Sequence, residues 1–175
     1  MHHFILTGAP GAGKTVILRQ LERDGFAVVE EAATDVIALL EAKGVAEHWK
    51  DPGFIDAILD LQASRRARAV QGRCFHDRSE ICTLALATFL GFEISSRLNA
   101  ALAETADLYQ RRVLFIQNLG FVTPTQARRI SFADALAFER VHEETYLRLG
   151  YELVRIAPGG VEARARAILQ HVDPG

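Results

Sequence analysis

Short apolar runs alternate with longer stretches of helical periodicity along the whole 175-residue chain. The runs predict five buried strands, because brief continuous apolar segments are typical of a parallel sheet covered on both faces. These strands are expected at residues 3–7, 26–29, 73–76, 112–117 and 151–156. The intervening periodicity predicts helices at residues 14–23, 31–43, 54–71, 79–90, 94–105 and 131–149, and a closing helix after Gly160.

This alternation predicts an α/β fold with three αβα layers around a five-stranded parallel sheet. No linker, repeat or low-complexity segment interrupts the pattern, so residues 1–175 are expected to form a single domain. In open sheets of this kind a ligand binds beyond the carboxyl ends of the strands, where the strand order reverses. The residues that bind a ligand are therefore expected in the loops that follow the strands.

The loop after the first strand carries the most specific pattern, GAPGAGKT at residues 8–15. It fits G-x-x-x-x-G-K-[ST] between a strand and a helix, which is the context of a P-loop, or Walker A motif. Glycines let main-chain N–H groups turn towards a polyphosphate, and the positive end of the next helix adds to the attraction. We expect this loop to bind the phosphates of ATP through Gly8, Ala9, Pro10, Gly11, Ala12, Gly13, Lys14, Thr15 and Val16.

Two short motifs supply the expected catalytic and metal-binding side chains. Lys14 is predicted to bring a positive charge to the β- and γ-phosphates, and the Thr15 hydroxyl to hold Mg²⁺. In CFHDRS, residues 74–79, Asp77 ends a buried strand beside the loop. Its carboxylate is predicted to bind Mg²⁺ or to take a proton from an attacking hydroxyl, with a helix N-cap as the alternative. Arg78 is expected to clamp a phosphate or carboxylate of the substrate.

The loop after the fourth strand contains Arg128 and Arg129, in TPTQARRISF. We predict that this loop forms a short lid, and that at least one of its arginines neutralises charge during phosphoryl transfer. Solvated surface arginines are the alternative. A lid also fits the need to exclude water from a site that would otherwise hydrolyse ATP.

Glu31 and Gln62 are predicted to contact an acceptor substrate. Glu31 follows the second strand in VVEEAA, and its alternative role is to complement the dipole of the next helix. Gln62 lies on the helix that begins at residue 54 and is expected to face the same pocket. For Arg65 and Arg66 on this helix, the same pocket and a charged helical surface are the two alternatives. Trp49 is expected to cover the core rather than to stack on a base.

The composition limits the expected classes of binding partner, but it says little about the reaction. The chain is 49% hydrophobic and 24% charged, with a formal net charge of −2, so neither nucleic acid nor a membrane is an expected partner. No apolar run reaches the roughly 18 residues of a membrane span. We expect a cytoplasmic monomer or homodimer whose Cys74 and Cys82 are reduced core thiols.

A series of segments in this chain resembles the AAA-type predicted ATPase/kinase family. In order, these segments are GAPGAGKT, VVEEAA, HWKDPGF…LQASR, FHDRS and LGFVTPTQARRISFADALAFERVHEETYLRLGYELV. That family groups with the kinase domain of the NAD regulator NadR and with the TRPL translocation defect proteins. Deoxynucleoside kinases are also similar, through a DRS-like motif, an acid after the second strand and a helix-borne glutamine. The resemblance covers most of the chain.

The resemblance implies a P-loop kinase fold that binds ATP, or GTP, with Mg²⁺. It implies phosphate and metal binding by residues 8–15, an acidic role for Asp77, and a lid role for Arg128 or Arg129. The family's usual continuation is DRG followed by a further Asp. Here Ser79 replaces that glycine and Cys82 stands near the position of that Asp, so the resemblance does not fix the acceptor.

These observations favour a kinase that moves the γ-phosphoryl group of ATP to a hydroxyl of a nucleoside-like or other small metabolite. A regulatory ATPase or GTPase switch without a small-molecule acceptor is the alternative. A kinase requires a concave acceptor site lined by Glu31, Gln62 and Arg78, whereas a switch requires only a mobile loop. A nucleotide-binding antitoxin or chaperone-like module has no positive feature in this sequence.

Overall fold

The computed structural model describes residues 2–69, 72–120 and 131–172. The strands are β1 (His2–Thr7), β2 (Ala27–Val29), β3 (Arg73–Asp77), β4 (Arg112–Ile116) and β5 (Glu152–Ile156). The helices are α1 (Lys14–Arg23), α2 (Ala33–Ala42), α3 (Gly53–Ala67), α4 (Glu80–Phe89), α5 (Ser96–Thr105), α6 (Phe132–Arg148) and α7 (Val161–Val172), with a 3₁₀ turn at His48–Lys50.

The five strands form one parallel sheet in the order β2-β3-β1-β4-β5, which confirms the predicted α/β architecture. The chain leaves central β1 towards β2 and β3 on one side, and then crosses to β4 and β5 on the other. The strand order therefore reverses at β1. Leu6 near the end of β1 is level with Asp77 on one side and with Leu114 on the other, so the loops after these strands lie together.

Helices cover both faces of the sheet, and consecutive residues of β1 pack against different layers. Leu6 belongs to the core beneath α1 and α7, with Ile17 and Ile168. Ile5 points to the other face and packs with Cys82 of α4 and with α6. This double burial explains why the strands are continuous apolar runs. No helix within the described residues has the length and apolar character needed to cross a bilayer.

Several helix boundaries differ from the sequence prediction, and hydrogen bonds explain two of the differences. Helix α2 begins at Ala33 rather than at residue 31, because the Glu31 carboxylate lies outside the helix and accepts the Thr34 N–H at 3.2 Å. Helix α3 ends at Ala67 rather than at residue 71, because the Arg68 N–H turns back to the Arg65 carbonyl at 3.1 Å in a tighter turn.

Cys74 and Cys82 are both buried, as expected. Cys74 lies beside His3 and His76 on one face of the sheet, with ligand-type atoms within 4.8 Å of one another, a grouping that their spacing did not reveal. Nδ1 of His3 and Nε2 of His76 are 2.6 Å apart and share a hydrogen bond. Burial lowers the pKa of His76 to about 3 and raises that of Cys74 to about 11, so imidazole and thiol stay uncharged.

Candidate active site

The loop between β1 and α1 has a backbone that only glycine accommodates easily. Gly8, Gly11 and Gly13 have φ angles of 128°, 84° and 88°. A Cβ atom on Gly8 would lie 2.3 Å from the carbonyl oxygen of Ile116, so the first glycine is also required by the close approach of β4. The motif's glycines are therefore explained here by chain geometry as well as by the expected phosphate.

The N–H groups of this loop point to an anion site. Among the described residues, no acceptor receives a hydrogen bond from the main-chain N–H groups of Gly11, Gly13, Lys14, Thr15 and Val16. Helix α1 has Gly13 at its N-cap and no side chain that caps it. Unsatisfied amides at the positive end of a helix are the usual means of binding phosphate in proteins.

Lys14 is buried at the base of this loop. Its Nζ donates to the carbonyl oxygens of Gly8 at 3.1 Å and Ala9 at 2.8 Å. Burial lowers the pKa of the Lys14 ammonium to about 7, and the charge of Arg78 acts in the same direction. The ammonium has no carboxylate within ion-pairing distance in the described chain, so its charge is available to an incoming anion.

Thr15 and Asp77 meet across the gap between α1 and β3. The Thr15 hydroxyl donates to Oδ2 of Asp77 at 2.9 Å, while Oδ1 is buried and has no partner among the described residues. Burial raises the pKa of the Asp77 carboxyl, and the nearby Lys14 opposes this shift. Asp77 does not cap α4, whose N-cap is Ser79. An orphaned carboxylate oxygen beside a hydroxyl fits the oxygen ligands that Mg²⁺ requires.

Arg78 follows Asp77 and adopts a φ of 73°, the only positive φ at a described residue other than glycine. Its N–H donates to the Leu6 carbonyl at 3.0 Å, which fixes this strained turn to β1. The guanidinium Nε lies 3.4 Å from Oε1 of Glu31, and its Nη1 donates to Nε2 of His142 at 2.8 Å. Arg78 is therefore held in place from both sides of the site.

His142 on α6 is a site residue that sequence reasoning missed. Its Nδ1–H donates to the carbonyl of Phe138 at 2.9 Å, which leaves Nε2 as the acceptor for Arg78. Burial, followed by the charge of Arg78, holds the pKa of His142 well below its ordinary value, so the ring is neutral. A single histidine on a helix gives no sequence signal of this role.

Glu31 and Glu30 separate into different environments, although they are adjacent. Glu31 lines a cavity that adjoins the phosphate loop, and one of its oxygens pairs with Arg78. Its second oxygen accepts the N–H of Thr34. The bond to Thr34 at the start of α2 agrees with the structural alternative, while contact between Glu31 and an acceptor stays a prediction. Glu30 lies outside this cavity and pairs with Arg19 on the surface.

One cavity of about 510 Å³ joins the phosphate loop to a second, more apolar region. Glu31, Gln62 and Arg78 all line it, as expected for an acceptor site, together with Lys14, Thr15 and Asp77. Gln62 accepts a hydrogen bond from Thr83 at 3.0 Å, and its amide NH₂, which donates to no residue in the described part of the chain, is available to the cavity. The structure thus brings these predicted residues into one space.

The far end of the cavity is walled mainly by aromatic and aliphatic side chains. They include Trp49, Phe54, Phe89 and Phe138. Trp49 is 39% exposed and lines the cavity, so it does not simply cover the core as we expected.

Arg65 and Arg66 do not line this cavity. Arg65 donates to the carbonyl of Glu31 and pairs with Asp35, so it braces the turn between β2 and α2. Arg66 pairs with Glu80 and Glu104. The predicted pocket contact is not seen, but the alternative of a charged helical surface is met only in part, because these side chains are 18% and 15% exposed and are paired with acids.

Two further contacts of the phosphate loop were not anticipated. Oε2 of Glu139 on α6 accepts the N–H of Ala9 at 3.3 Å, and Arg164 on α7 donates to the carbonyl of Ala12 at 2.8 Å. Both come from helices that follow the loop by more than a hundred residues, and no local pattern marks them. The predicted lid arginines, Arg128 and Arg129, lie outside the described residues.

This sheet order, with a P-loop after its central strand and a cavity that extends from this loop, defines a P-loop fold of the kinase-like type. The sequence matches the profile of the AAA domain family over residues 3–164, and the chain belongs to that family. The curated proteins contain no significant sequence match to it.

Similar solved structures include two proteins with bound nucleotides, both at low sequence identity to this chain. Deoxyadenosine kinase from M. mycoides, with the products dCMP and dCDP bound, is 13% identical, with a TM-score of 0.62 over 98% of both chains. NadR protein, in complex with NAD and AMP-PNP, is 17% identical, with a TM-score of 0.69 over 97% of this chain and 49% of NadR. The chain therefore spans about half the length of NadR.

Shikimate kinase from Acinetobacter baumannii, in complex with shikimate, is 14% identical, with a TM-score of 0.56 over 98% of this chain and 92% of the kinase. At these identities the likeness establishes the shared fold. The predicted P-loop kinase-like fold and the resemblance to its family are thereby confirmed.

Proposed function

We propose that this chain is a small-molecule kinase that binds ATP with Mg²⁺ and transfers the γ-phosphoryl group to a hydroxyl of a nucleoside-like metabolite. The observation that carries this proposal is the continuous cavity from the phosphate loop to Glu31 and Gln62. Phosphoryl transfer requires donor and acceptor to meet in line, and catalysis depends largely on that positioning. A cavity with two chemically different ends suits two substrates.

The phosphate loop would bind the triphosphate of ATP. The unsatisfied N–H groups of residues 11 and 13–16 provide donors, and Lys14 provides a buried charge. In the structure Lys14 donates to two loop carbonyls, so binding would exchange these neutral acceptors for phosphate oxygens. A phosphate oxygen adds charge attraction to the hydrogen bond that a neutral carbonyl already provides, which favours the exchange.

Thr15 and Asp77 would hold Mg²⁺, which neutralises charge on the β- and γ-phosphates when it is bound. The unpartnered Oδ1 of Asp77 supports this assignment. A metal ion would also remove the cost of keeping that buried oxygen without a hydrogen bond. The raised pKa of Asp77 belongs to the protein without the metal ion.

Glu31 is the better candidate for the group that orients or deprotonates the acceptor hydroxyl. Asp77 is bonded to Thr15 and is only 3% exposed, whereas Glu31 borders the cavity on the acceptor side. The pairing of Glu31 with Arg78 keeps the carboxylate oriented towards the interior. Arg78 would contact the transferring phosphoryl group or the acceptor, and Arg128 or Arg129 would complete the charge stabilisation from the lid.

The acceptor end has features that suit a nucleoside. Aromatic side chains offer flat surfaces for a base, and the free amide of Gln62 offers a hydrogen-bond donor at one edge of the space. The structure of deoxyadenosine kinase with nucleotide products has the same fold, which supports this choice. Shikimate kinase shows that the fold also accommodates a different acceptor, so a small non-nucleoside metabolite is the second possibility.

A regulatory switch remains the alternative function, and it makes a different demand on the structure. It needs a loop that responds to the γ-phosphate but no enclosed site for an acceptor. The cavity beyond Asp77 has no use in such a protein, and this favours the kinase.

The test is a measurement of phosphate transfer from ATP in the presence of a panel of nucleosides and small hydroxylated metabolites. We expect one class of compound to stimulate ATP consumption strongly and to appear as a phosphorylated product by mass spectrometry. Slow phosphate release that no compound changes would instead support the switch. Calorimetry that detects no affinity for ATP or GTP would reject both functions.

A further inference from the structure

Arg164 is a buried cation behind the phosphate loop, and the function proposed above gives it no role. It lies on α7 and is 4% exposed. Its Nη1 donates to the Ala12 carbonyl at 2.8 Å, and its Nη2 donates to the Gln117 carbonyl at 3.1 Å. Nε is buried, and within the described residues it has no hydrogen-bond partner and the guanidinium forms no ion pair with a carboxylate.

Such a charge is costly when it is left without a counter-ion. A buried cation loses its hydration, and two neutral carbonyls replace only part of it. Burial lowers the pKa of Arg164 from its ordinary value, but a guanidinium remains charged near neutral pH. The fold therefore keeps an uncompensated positive charge next to the loop, and a polyanionic ligand would supply the missing opposite charge.

The hydrogen bond to Ala12 also orients a loop amide. None of the described peptide bonds is cis, and in a trans peptide the C=O and N–H groups point in opposite directions. Arg164 draws the Ala12 carbonyl towards α7, so the N–H of Gly13 is directed away from α7. That N–H is one of the groups without an acceptor among the described residues.

Arg164 packs so close to Gly13 that a larger residue would have little room there. A Cβ atom at this position would lie 3.2 Å from Nη1 of Arg164, and the φ of 88° already disfavours other residues. The second bond, to Gln117, ties the loop to the end of β4, and the N–H of Gln117 donates onward to Ile156 of β5 at 3.1 Å. One guanidinium thus fixes the loop relative to two neighbouring strands.

We propose that Arg164 is a positioning residue for the phosphate loop: it fixes the Ala12–Gly13 peptide and provides a buried charge that the bound polyphosphate balances. The inference rests on the proposed binding of a nucleoside triphosphate. It assigns the contribution of Arg164 to the phosphate tail rather than to the base or to the acceptor. Inorganic tripolyphosphate consists of the phosphate tail alone. Its binding should therefore depend on Arg164 as strongly as the binding of ATP does.

Calorimetric titration of the full chain with ATP and with inorganic tripolyphosphate, both with Mg²⁺, tests this proposal. Arg164→Gln should weaken both ligands by roughly 10- to 100-fold, the usual range for a charge-assisted hydrogen bond. Arg164→Lys should recover part of the affinity, because it restores the charge but not the two-pronged geometry. Arg166→Gln is the matched control, since Arg166 lies on the same helix with its side chain 69% exposed.

The outcomes separate the inference from the proposed function. If the wild-type chain binds neither ligand, the proposed function fails. If the wild type binds both, and a folded Arg164→Gln variant binds them as tightly as Arg166→Gln does, the proposed role of Arg164 is wrong. The role is also wrong if the KM for the acceptor rises as much as the KM for ATP, because that pattern indicates general loosening. Should the glutamine variant not fold, Arg164→Lys decides: wild-type affinity contradicts the role, and weaker binding of both ligands supports it.

Discussion

The two ends of the cavity are constructed in different ways. At the phosphate end, the proposed binding groups are main-chain N–H groups within a continuous segment, residues 8–16, and glycines determine the direction of its backbone. At the acceptor end, the walls are side chains from α2, α3, α4 and α6 and from the turn at His48–Lys50, which are far apart in the sequence. Main-chain groups can recognise a phosphate group, which many ligands share. Recognition of one particular acceptor instead requires particular side chains.

The difference in electrostatics follows the same division. The phosphate end contains two buried cations, Lys14 and Arg164, that form no ion pair with a carboxylate of the described residues. At the boundary with the acceptor end, Arg78 is paired with Glu31 and held by His142. One end is therefore prepared for an anion, while the boundary is prepared to orient a neutral hydroxyl. The predictions below test each end separately, starting with the largest expected effect.

Replacing the buried cation of the phosphate end should have the greatest consequence. We expect Lys14→Ala to reduce turnover by about 10³-fold or more, in the range seen when a cationic contact to the transferring phosphoryl group is lost. The variant should keep its fold, because removing an unpaired buried charge relieves desolvation. Product formation and circular dichroism on the same sample measure both effects. Full turnover in a folded variant would contradict the assignment of the phosphate end.

Glu31→Gln should separate chemistry from nucleotide binding. Loss of a general base typically lowers kcat by about 10²- to 10⁴-fold, while ATP affinity should be unchanged because Glu31 makes no hydrogen bond to the phosphate loop. Steady-state kinetics and calorimetry give the two values. Asp77→Asn is the comparison, and it should instead raise the Mg²⁺ concentration needed for activity. A kcat that Glu31→Gln leaves unchanged would move the base assignment to Asp77.

The affinity for ATP should fall as the pH rises from 7 to 9. Burial lowers the pKa of Lys14 in the free protein to about 7, and the negative phosphates should raise it again on binding. Above pH 7 the ammonium must therefore regain its proton when ATP binds, which weakens binding by up to about tenfold per pH unit. Lys14→Arg keeps its charge over this range and should show a flatter profile. Equal wild-type affinity at pH 7 and pH 9 would argue against a lowered pKa.

The smallest effect is expected at the acceptor end. Gln62→Leu removes the free amide but keeps the apolar wall, and we expect the KM for the acceptor to rise about tenfold, as for one lost hydrogen bond. The KM for ATP should not change. Gln20→Leu makes the same substitution on α1, where Gln20 bonds to Asp24 at the surface, and it serves as the control. A Gln62 variant that behaves like this control would exclude an acceptor contact at Gln62.

The sequence was sufficient where structure follows from local chemistry. Continuous apolar runs identified the five strands, and the spacing of Gly8, Gly13, Lys14 and Thr15 identified the loop, because backbone direction and helix polarity depend on neighbouring residues. Asp77 was found because it directly follows a strand that could be recognised. Helix ends were less accurate, since a single side chain such as Glu31 shifts them by two residues.

The tertiary structure alone decided which distant side chains join these segments. Glu31 lines the cavity, whereas its neighbour Glu30 does not, and the arginines at 65 and 66 also lie outside the lining. Packing of the helices brings His142 into contact with Arg78. It likewise brings Arg164 into contact with Ala12. Contacts between residues 64 and 152 positions apart depend on how helices pack across the sheet, and hydrophobic periodicity does not encode which polar residue will meet which partner. The sequence by itself predicted the kind of ligand group, because the loop pattern is local, and packing determined the shape of the space beside that loop.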